Sequence, residues 1–553
     1  MLNITCPDGK VHQYEIGTSF LTIAQDFAAN YQSPLVEAIV DGCGTDLQAT
    51  VKKDCTLSFF ELNSSEGNRV YVRSLFFTFI VAMAKKRPEV EVELKNALGD
   101  AMYCDVKNGI TLSKYDLEDI QQAMVELIGA QKAITMKISN KEEAAKVVNP
   151  RLYQDTLPLL DEIGTQVRFP LYELDEETAF FMGPMVPNTG YLQGFKLLNY
   201  KTGVLICYPT GPDYSIVPTF VDQPKLSVEY DEAEALGQRI GCPTVAALNK
   251  FIKDGNSRGI IQICEAQQEK HIAQIADMIS ASKDKIRLVL IAGPSSSGKT
   301  TCSQRLSVQL RVNGLNPVPI SLDNYFKERK DTPKLADGSY DFESINALDL
   351  ELFNDHLERL IAGETVKIPH YNFRTGGREY RGQRINLGEH GVLVVEGIHG
   401  LNEVLSKAVH KEQKLKIYIS ALTPLSFDDY NRIHTTDMRL LRRMVRDSQF
   451  RSHDALGTLQ GWSKVREGEE KYIFPFAEEA DVMLNTTLIY EFAVFKKYAE
   501  PLLEAIPSNV PEAAEAHRLL SMLKTSASID DEAVPNNSII REFVGGSIFG
   551  DLL

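Results

Sequence analysis

The chain has one tryptophan in 553 residues, no Cys-x-x-Cys spacing among its eight cysteines, and no long apolar run. Each shortage excludes something. The longest strongly apolar stretch, residues 76–84, is about half of the roughly 18 residues that a membrane-spanning helix requires, so no membrane partner is expected. The cysteines (Cys6, Cys43, Cys55, Cys104, Cys207, Cys242, Cys264, Cys302) are too scattered for a zinc site or a disulfide framework. Buried free thiols in a reducing compartment are the expectation. Basic charge is also short: 59 Lys and Arg face 75 Asp and Glu, a net charge of −16. That balance disfavours broad affinity for nucleic acid or anionic lipid and leaves room for a local basic patch. Residues 1–8 have neither a basic start nor an apolar core, so no secretory signal is read there and a cytoplasmic location is expected.

What is present reads as several globular domains. Apolar residues make up 43% and charged residues 24%, an ordinary balance, and the length exceeds what one hydrophobic core supports. Residues 1–62 suggest a small α+β module: a hairpin turning at Pro7-Asp8-Gly9-Lys10, a helix over 19–31, and strands near 36–40 and 55–60. Residues 63–225 read as a second α+β region, with helical periodicity over 69–86 and 113–130 around a strand at 101–106. A helical connector, with long stretches at about 229–253 and 260–282, fills 226–284. From residue 286 the pattern becomes strand–loop–helix, with apolar runs at 286–292, 318–321, 392–395 and 416–420. Such alternation predicts an α/β domain over 285–490 with a doubly wound parallel sheet, followed by a helical tail over 491–553.

The strongest motif follows the first of those runs. Gly293-Pro294-Ser295-Ser296-Ser297-Gly298-Lys299-Thr300 fits Gly-x4-Gly-Lys-Ser/Thr, between a buried strand and a helix-forming run that begins at Thr301. Successive backbone N–H groups and the helix N-terminus suit the phosphates of ATP, which the loop through Thr301 is expected to bind. Lys299 adds positive charge, and the Thr300 hydroxyl is placed for Mg²⁺. At the end of the next strand, Asp323 is either a loop cap or a carboxylate that takes the acceptor's proton or helps hold Mg²⁺. Glu396, after Val394 and Val395, is a metal-shell carboxylate or a residue starting a helix.

These pieces, in this order, resemble the uridine kinase / phosphoribulokinase family over roughly 285–490. Ser321-Leu322-Asp323-Asn324-Tyr325-Phe326 resembles the segment that carries the family's catalytic base, implying that role for Asp323. Tyr340-Asp341-Phe342-Glu343 and Ile368-Pro369-His370-Tyr371-Asn372-Phe373 are similar to its acceptor-pocket segments, implying that Phe342, Glu343, Tyr371 and Phe373 line the substrate site. Arg442-Arg443-Met444-Val445-Arg446-Asp447 matches the lid, with Arg451 at a further lid position; Arg443 and Arg446 are thereby implied in catalysis, and Arg443 and Arg451 in substrate binding. Helical spacing puts Arg439, Arg443 and Arg446 on one face, suited to charge on a transferring phosphoryl group, although a basic run is also an ordinary solvated face. The family's Ser-His-Ser-Arg after the pocket strand is replaced by Arg374-Thr375-Gly376-Gly377-Arg378. Base preference is therefore open.

Residues 1–225 resemble the N-terminal part of threonyl-tRNA synthetase: a TGS-like module and an editing-type domain. That domain's ligand positions correspond to Arg73, Phe77, Phe181 and Met185 here, which offer no zinc donors and predict apolar filling of the pocket. What this half would recognise is an RNA end, a small regulator or a partner subunit, including another copy. The leading expectation is an Mg-ATP-dependent kinase of a uridine- or cytidine-like nucleoside. A kinase of another small alcohol such as a sugar phosphate, and an RNA-associated nucleotide switch, are the alternatives.

Overall fold

The structure, a computed structural model, describes residues 1–147, 158–159, 169–335, 338–372, 375–451 and 453–549. Five parallel strands form the C-terminal sheet: β1 (Leu288–Ala292), β2 (Asn316–Ser321), β3 (Gly391–Glu396), β4 (Lys414–Ser420) and β5 (Val482–Asn485), in the spatial order β2-β3-β1-β4-β5. The continuous apolar runs are explained by burial on both faces. Along β1, Val289 and Ile291 join one core while Leu288 and Leu290 join the other, and β3 divides its valines and leucine in the same way. Pro317 and Pro319 are tolerated because β2 is an edge strand, where a missing ladder donor costs little.

Helix α1 (Lys299–Val312) follows β1 directly, and the long helix Ser257–Ala281 packs against it. Arg305 of α1 is fully enclosed there, its guanidinium meeting Glu269 at 2.6 Å and Gln268 at 2.8 Å. The connector differs from the expected pair of long helices. It holds three, Pro224–Ile240, Val245–Lys253 and Ser257–Ala281. Gly241, at φ +71°, caps the first, and Pro243 cannot continue it.

The N-terminal half has its own cores. A five-stranded sheet includes the hairpin Leu2–Thr5/Val11–Tyr14, turning at Gly9 with φ +76°. A four-stranded antiparallel sheet (Lys196–Tyr200, Gly203–Cys207, Ala101–Val106, Val92–Leu98) lies beyond it, and the helices Ser65–Lys86 and Lys114–Gly129 pack together. All eight cysteines are free, and no helix among the described residues is long and apolar enough to cross a membrane.

Two features bind the halves together. The segment after β4 enters the N-terminal half, where the Tyr430 ring stacks on Phe181 (5.9 Å, 14°) and meets Phe76 edge-on (5.6 Å). Asn431 accepts from the Met182 amide at 2.8 Å and donates to the Phe180 carbonyl at 3.1 Å. Separately, Arg69 pairs with Glu515 (2.6 Å), Glu515 with Arg518 (2.7 Å), and Arg518 with Asp437 (2.6 Å). This chain of charges links the helix Ser65–Lys86, the helix Ala513–Lys524 and α2 (Thr435–Phe450).

Candidate active site

Strand register brings the chemistry to one edge. Glu396 stands level with Ile291 and Ser321, so the loop after β1, the turn after β2 and the end of β3 meet at the carboxyl ends of the strands. The loop needs its glycines. A Cβ at Gly293 would sit 2.1 Å from the Ile419 carbonyl oxygen, and Gly298 has φ +84°. Lys299 turns back over the loop, its Nζ donating to the carbonyls of Gly293 and Pro294 at 2.9 Å each. Burial lowers its ammonium below the usual lysine range, while Glu396, Glu542 and Glu469 oppose that shift.

Two carboxylates already occupy the loop's donors. Glu469, on α3 (Ala455–Tyr472), accepts from the Ser295 amide at 2.9 Å. Glu542, near the C-terminus, accepts from the Thr301 amide at 3.2 Å and its hydroxyl at 2.8 Å. Both are anionic groups held by donors of the loop and of the first turn of α1, the kind of donor that also takes a phosphate oxygen. Neither was legible from the motif, because each reaches the loop from far along the chain.

The lid arginines divide their work. Arg439 donates to the Ser295 carbonyl at 3.0 Å and pairs with Glu469. Arg443 donates to the Ser295 hydroxyl at 2.8 Å. Arg442, fully buried, pairs with Glu491 at 2.6 Å and lies 3.3 Å from the Ser296 carbonyl, a loop-supporting role that the sequence did not single out. Arg446 turns to the neighbouring Asp447 at 2.9 Å and not to the loop.

Asp323 lies beyond Ser321, whose hydroxyl accepts from its amide at 3.4 Å. Solvent reaches it, yet the loop, lid and strand ends strip enough hydration to raise its carboxyl above the usual range, against Lys299 and Arg451. Glu396 is pushed up to about 7 by burial and by the Asp323 charge. Glu396 and the Thr300 hydroxyl offer oxygen donors of the kind a hard cation takes, and among the described residues no cluster of three or more His, Cys, Asp or Glu side chains could hold one alone.

On the acceptor side Phe342, Phe326 and Tyr371 form an aromatic cluster, with centroids 5.9 Å apart for Phe326–Phe342 and 5.5 Å for Phe326–Tyr371. Glu343 lies against Gly468 of α3, where a Cβ would come within 2.8 Å of its Cγ. Burial raises the Glu343 carboxyl. Phe373 lies outside the described residues. In the N-terminal half, Phe77, Phe181 and Met185 are buried in one apolar core, and Arg73 donates to the Pro184 carbonyl at 2.6 Å.

Comparisons with known proteins follow the same division. The chain's N-terminal region is 30% identical over 201 residues to the threonine–tRNA ligase of Symbiobacterium thermophilum and 26% identical over 199 residues to that of Syntrophomonas wolfei. Each match covers 36% of this chain, which spans about 31% of the length of these relatives. Among solved structures, a possible uridine kinase from Bacillus stearothermophilus is 19% identical, covering 40% of this chain and all 100% of that one, with a TM-score of 0.27. A putative fructose transport system kinase from Silicibacter is 14% identical, covering 38% of this chain and 98% of that one, also at 0.27. Residues 288–489 match the model of the Phosphoribulokinase / Uridine kinase family, so the chain joins a region similar to that family to one similar to threonine–tRNA ligases.

Proposed function

We propose that this protein is an ATP- and Mg²⁺-dependent kinase that phosphorylates a hydroxyl of a nucleoside of the uridine or cytidine kind. The reading is supported by Lys299 acting on Asp323 and by Arg443 on the Ser295 hydroxyl, beside a loop whose amides already hold carboxylates. When bound, Mg-ATP supplies the phosphoryl group and the charge neutralisation it needs. The chain's own residues do the rest. Asp323, with its carboxyl raised by partial loss of hydration, accepts the acceptor's hydroxyl proton. Lys299 exchanges its two carbonyl partners for phosphate oxygens, and Arg443 is within reach of the same place through Ser295. Arg451, whose charge is felt at Asp323, borders the acceptor. Phe342 and Tyr371 offer ring faces to a base, and α3 closes the side next to Glu343.

The test is ADP release with Mg-ATP against a panel of ribo- and deoxynucleosides, run beside Lys299→Ala. Turnover on one nucleoside that the variant loses supports the reading. Turnover confined to a phosphorylated sugar would replace the acceptor and keep the chemistry. Absence of turnover on any alcohol would leave the loop as a switch.

A further inference from the structure

The C-terminal segment touches the nucleotide loop at two points. Ile539 lies against Gly298, its Cγ2 2.7 Å from where a Cβ would be. Glu542 holds both the amide and the hydroxyl of Thr301, the third residue of α1. That amide is one of the first four of the helix, which have no intrahelical acceptor and are what a bound phosphate would use. The two carboxylates on the loop are not equivalent. Glu469 has the Arg439 guanidinium against it, whereas among the described residues no cation forms an ion pair with Glu542. A carboxylate with no ion-paired cation on a donor a phosphate would use competes with the ligand's own charge.

We propose that Glu542 is an internal phosphate surrogate. It occupies Thr301 in the nucleotide-free chain and yields that place to a nucleotide phosphate, so the C-terminal segment sets the affinity of the site. The inference rests on the nucleotide-loop reading above and adds its regulation. The exchange is a side-chain rotation, because the backbone is pinned. Ile539, Ile540 and Phe543 are fully buried, and Arg541 is tied to Asp531 at 2.7 Å and to the Val534 carbonyl at 2.8 Å.

The experiment is calorimetric titration of the full chain with Mg-ADP, wild type against Glu542→Gln. Glutamine keeps an acceptor for Thr301 and removes the charge. Affinity is expected to rise on the order of tenfold at low ionic strength, from loss of one unit charge within a few ångströms of a phosphate. The gain should shrink as salt is added. A merely structural anchor predicts the opposite sign, so unchanged or weaker binding overturns the proposal. A crystal structure of the wild type with Mg-ADP decides the matter even where the variant fails to fold. A phosphate oxygen on the Thr301 amide with Glu542 turned away supports the exchange, and Glu542 still on that amide beside bound ADP overturns it. Binding of Mg-ADP to the wild type that Lys299→Ala abolishes verifies the underlying nucleotide site. A wild type that takes up no Mg-ADP overturns that site and the proposal together.

Discussion

Replacing Arg518 with leucine would cut the charged link between helix α2 and Arg69 of the N-terminal half. The guanidinium holds Asp437 through two contacts, 2.6 and 2.9 Å, and Glu515 through two more, 2.7 and 2.8 Å. Glu515 would keep Arg69, but Asp437, 3% exposed, would lose the cation that offsets its burial. Breaking a buried pair from one side costs about 3–5 kcal/mol. Arg518 is itself 24% exposed, so water replaces part of the loss and about 2–4 kcal/mol is expected. The pH dependence follows from direction. Burial pushes the Asp437 carboxyl up, but Arg518 overrides it and holds the group below its usual range; Glu515 is held well below for the same reason, with Arg69 adding to Arg518. Depressed carboxyls contribute stability that is present above their unfolded values, near 4, and is lost as pH falls toward the folded values. The gap between wild type and Arg518→Leu should therefore be widest at pH 7 and narrow below about pH 4. The single tryptophan, Trp462, lies buried in α3 beside Arg439, so its emission in urea reports the lid without interference. Adding Asp437→Asn should recover at least ~1 kcal/mol, because the stranded charge is gone. A loss below ~1 kcal/mol, or one of the same size at pH 7 and pH 3, would refute the reasoning.

Asp323→Asn should reduce turnover by roughly 10²–10⁴ while Mg-ADP binding persists, since only the proton acceptor is removed; near-normal turnover would withdraw the base assignment. Glu37, buried on the strand Leu35–Val40, has its carboxyl pushed up to about 7, mainly by burial. A raised carboxyl costs stability as pH rises from the unfolded value toward 7, so Glu37→Gln should stabilise by roughly 2 kcal/mol at pH 8 and by little at pH 4.5. Urea midpoints at the two pH values check it, and an equal effect at both would remove burial of the charge as the cause.

The sequence showed those features that local chemistry dictates. The loop was legible because a run buried on both faces, a glycine-rich turn and a helix start must follow one another for amides to converge on a phosphate. Asp323 and Glu396 were legible as strand-end carboxylates for the same reason. Periodicity placed Arg439, Arg443 and Arg446 on one face, but it could not divide them. Arg439 and Arg442 became buried supports for the loop because Glu469 and Glu491 arrive from other helices, and Arg446 found Asp447. Glu542 left no local signal, since its function as a loop contact depends on a helix of four residues packed 241 positions away from Thr301. The connector's break at Gly241 and Pro243 was written in the residues, yet the helical periodicity on either side concealed it.

The two halves gain a common logic from α2. Its first turn carries Asp437, clamped through Arg518 and Glu515 to Arg69 of the N-terminal half. Further along its length, Arg439 and Arg443 hold Ser295 of the loop at 293–300. The chain that leads into α2 is itself seated by Tyr430 and Asn431 among Phe76, Phe180, Phe181 and Met182. Phe77, Phe181 and Met185 share one apolar core, and Tyr430 packs against it with its ring on Phe181. The N-terminal half is thus joined to α2 at its first turn and through the segment that leads into it.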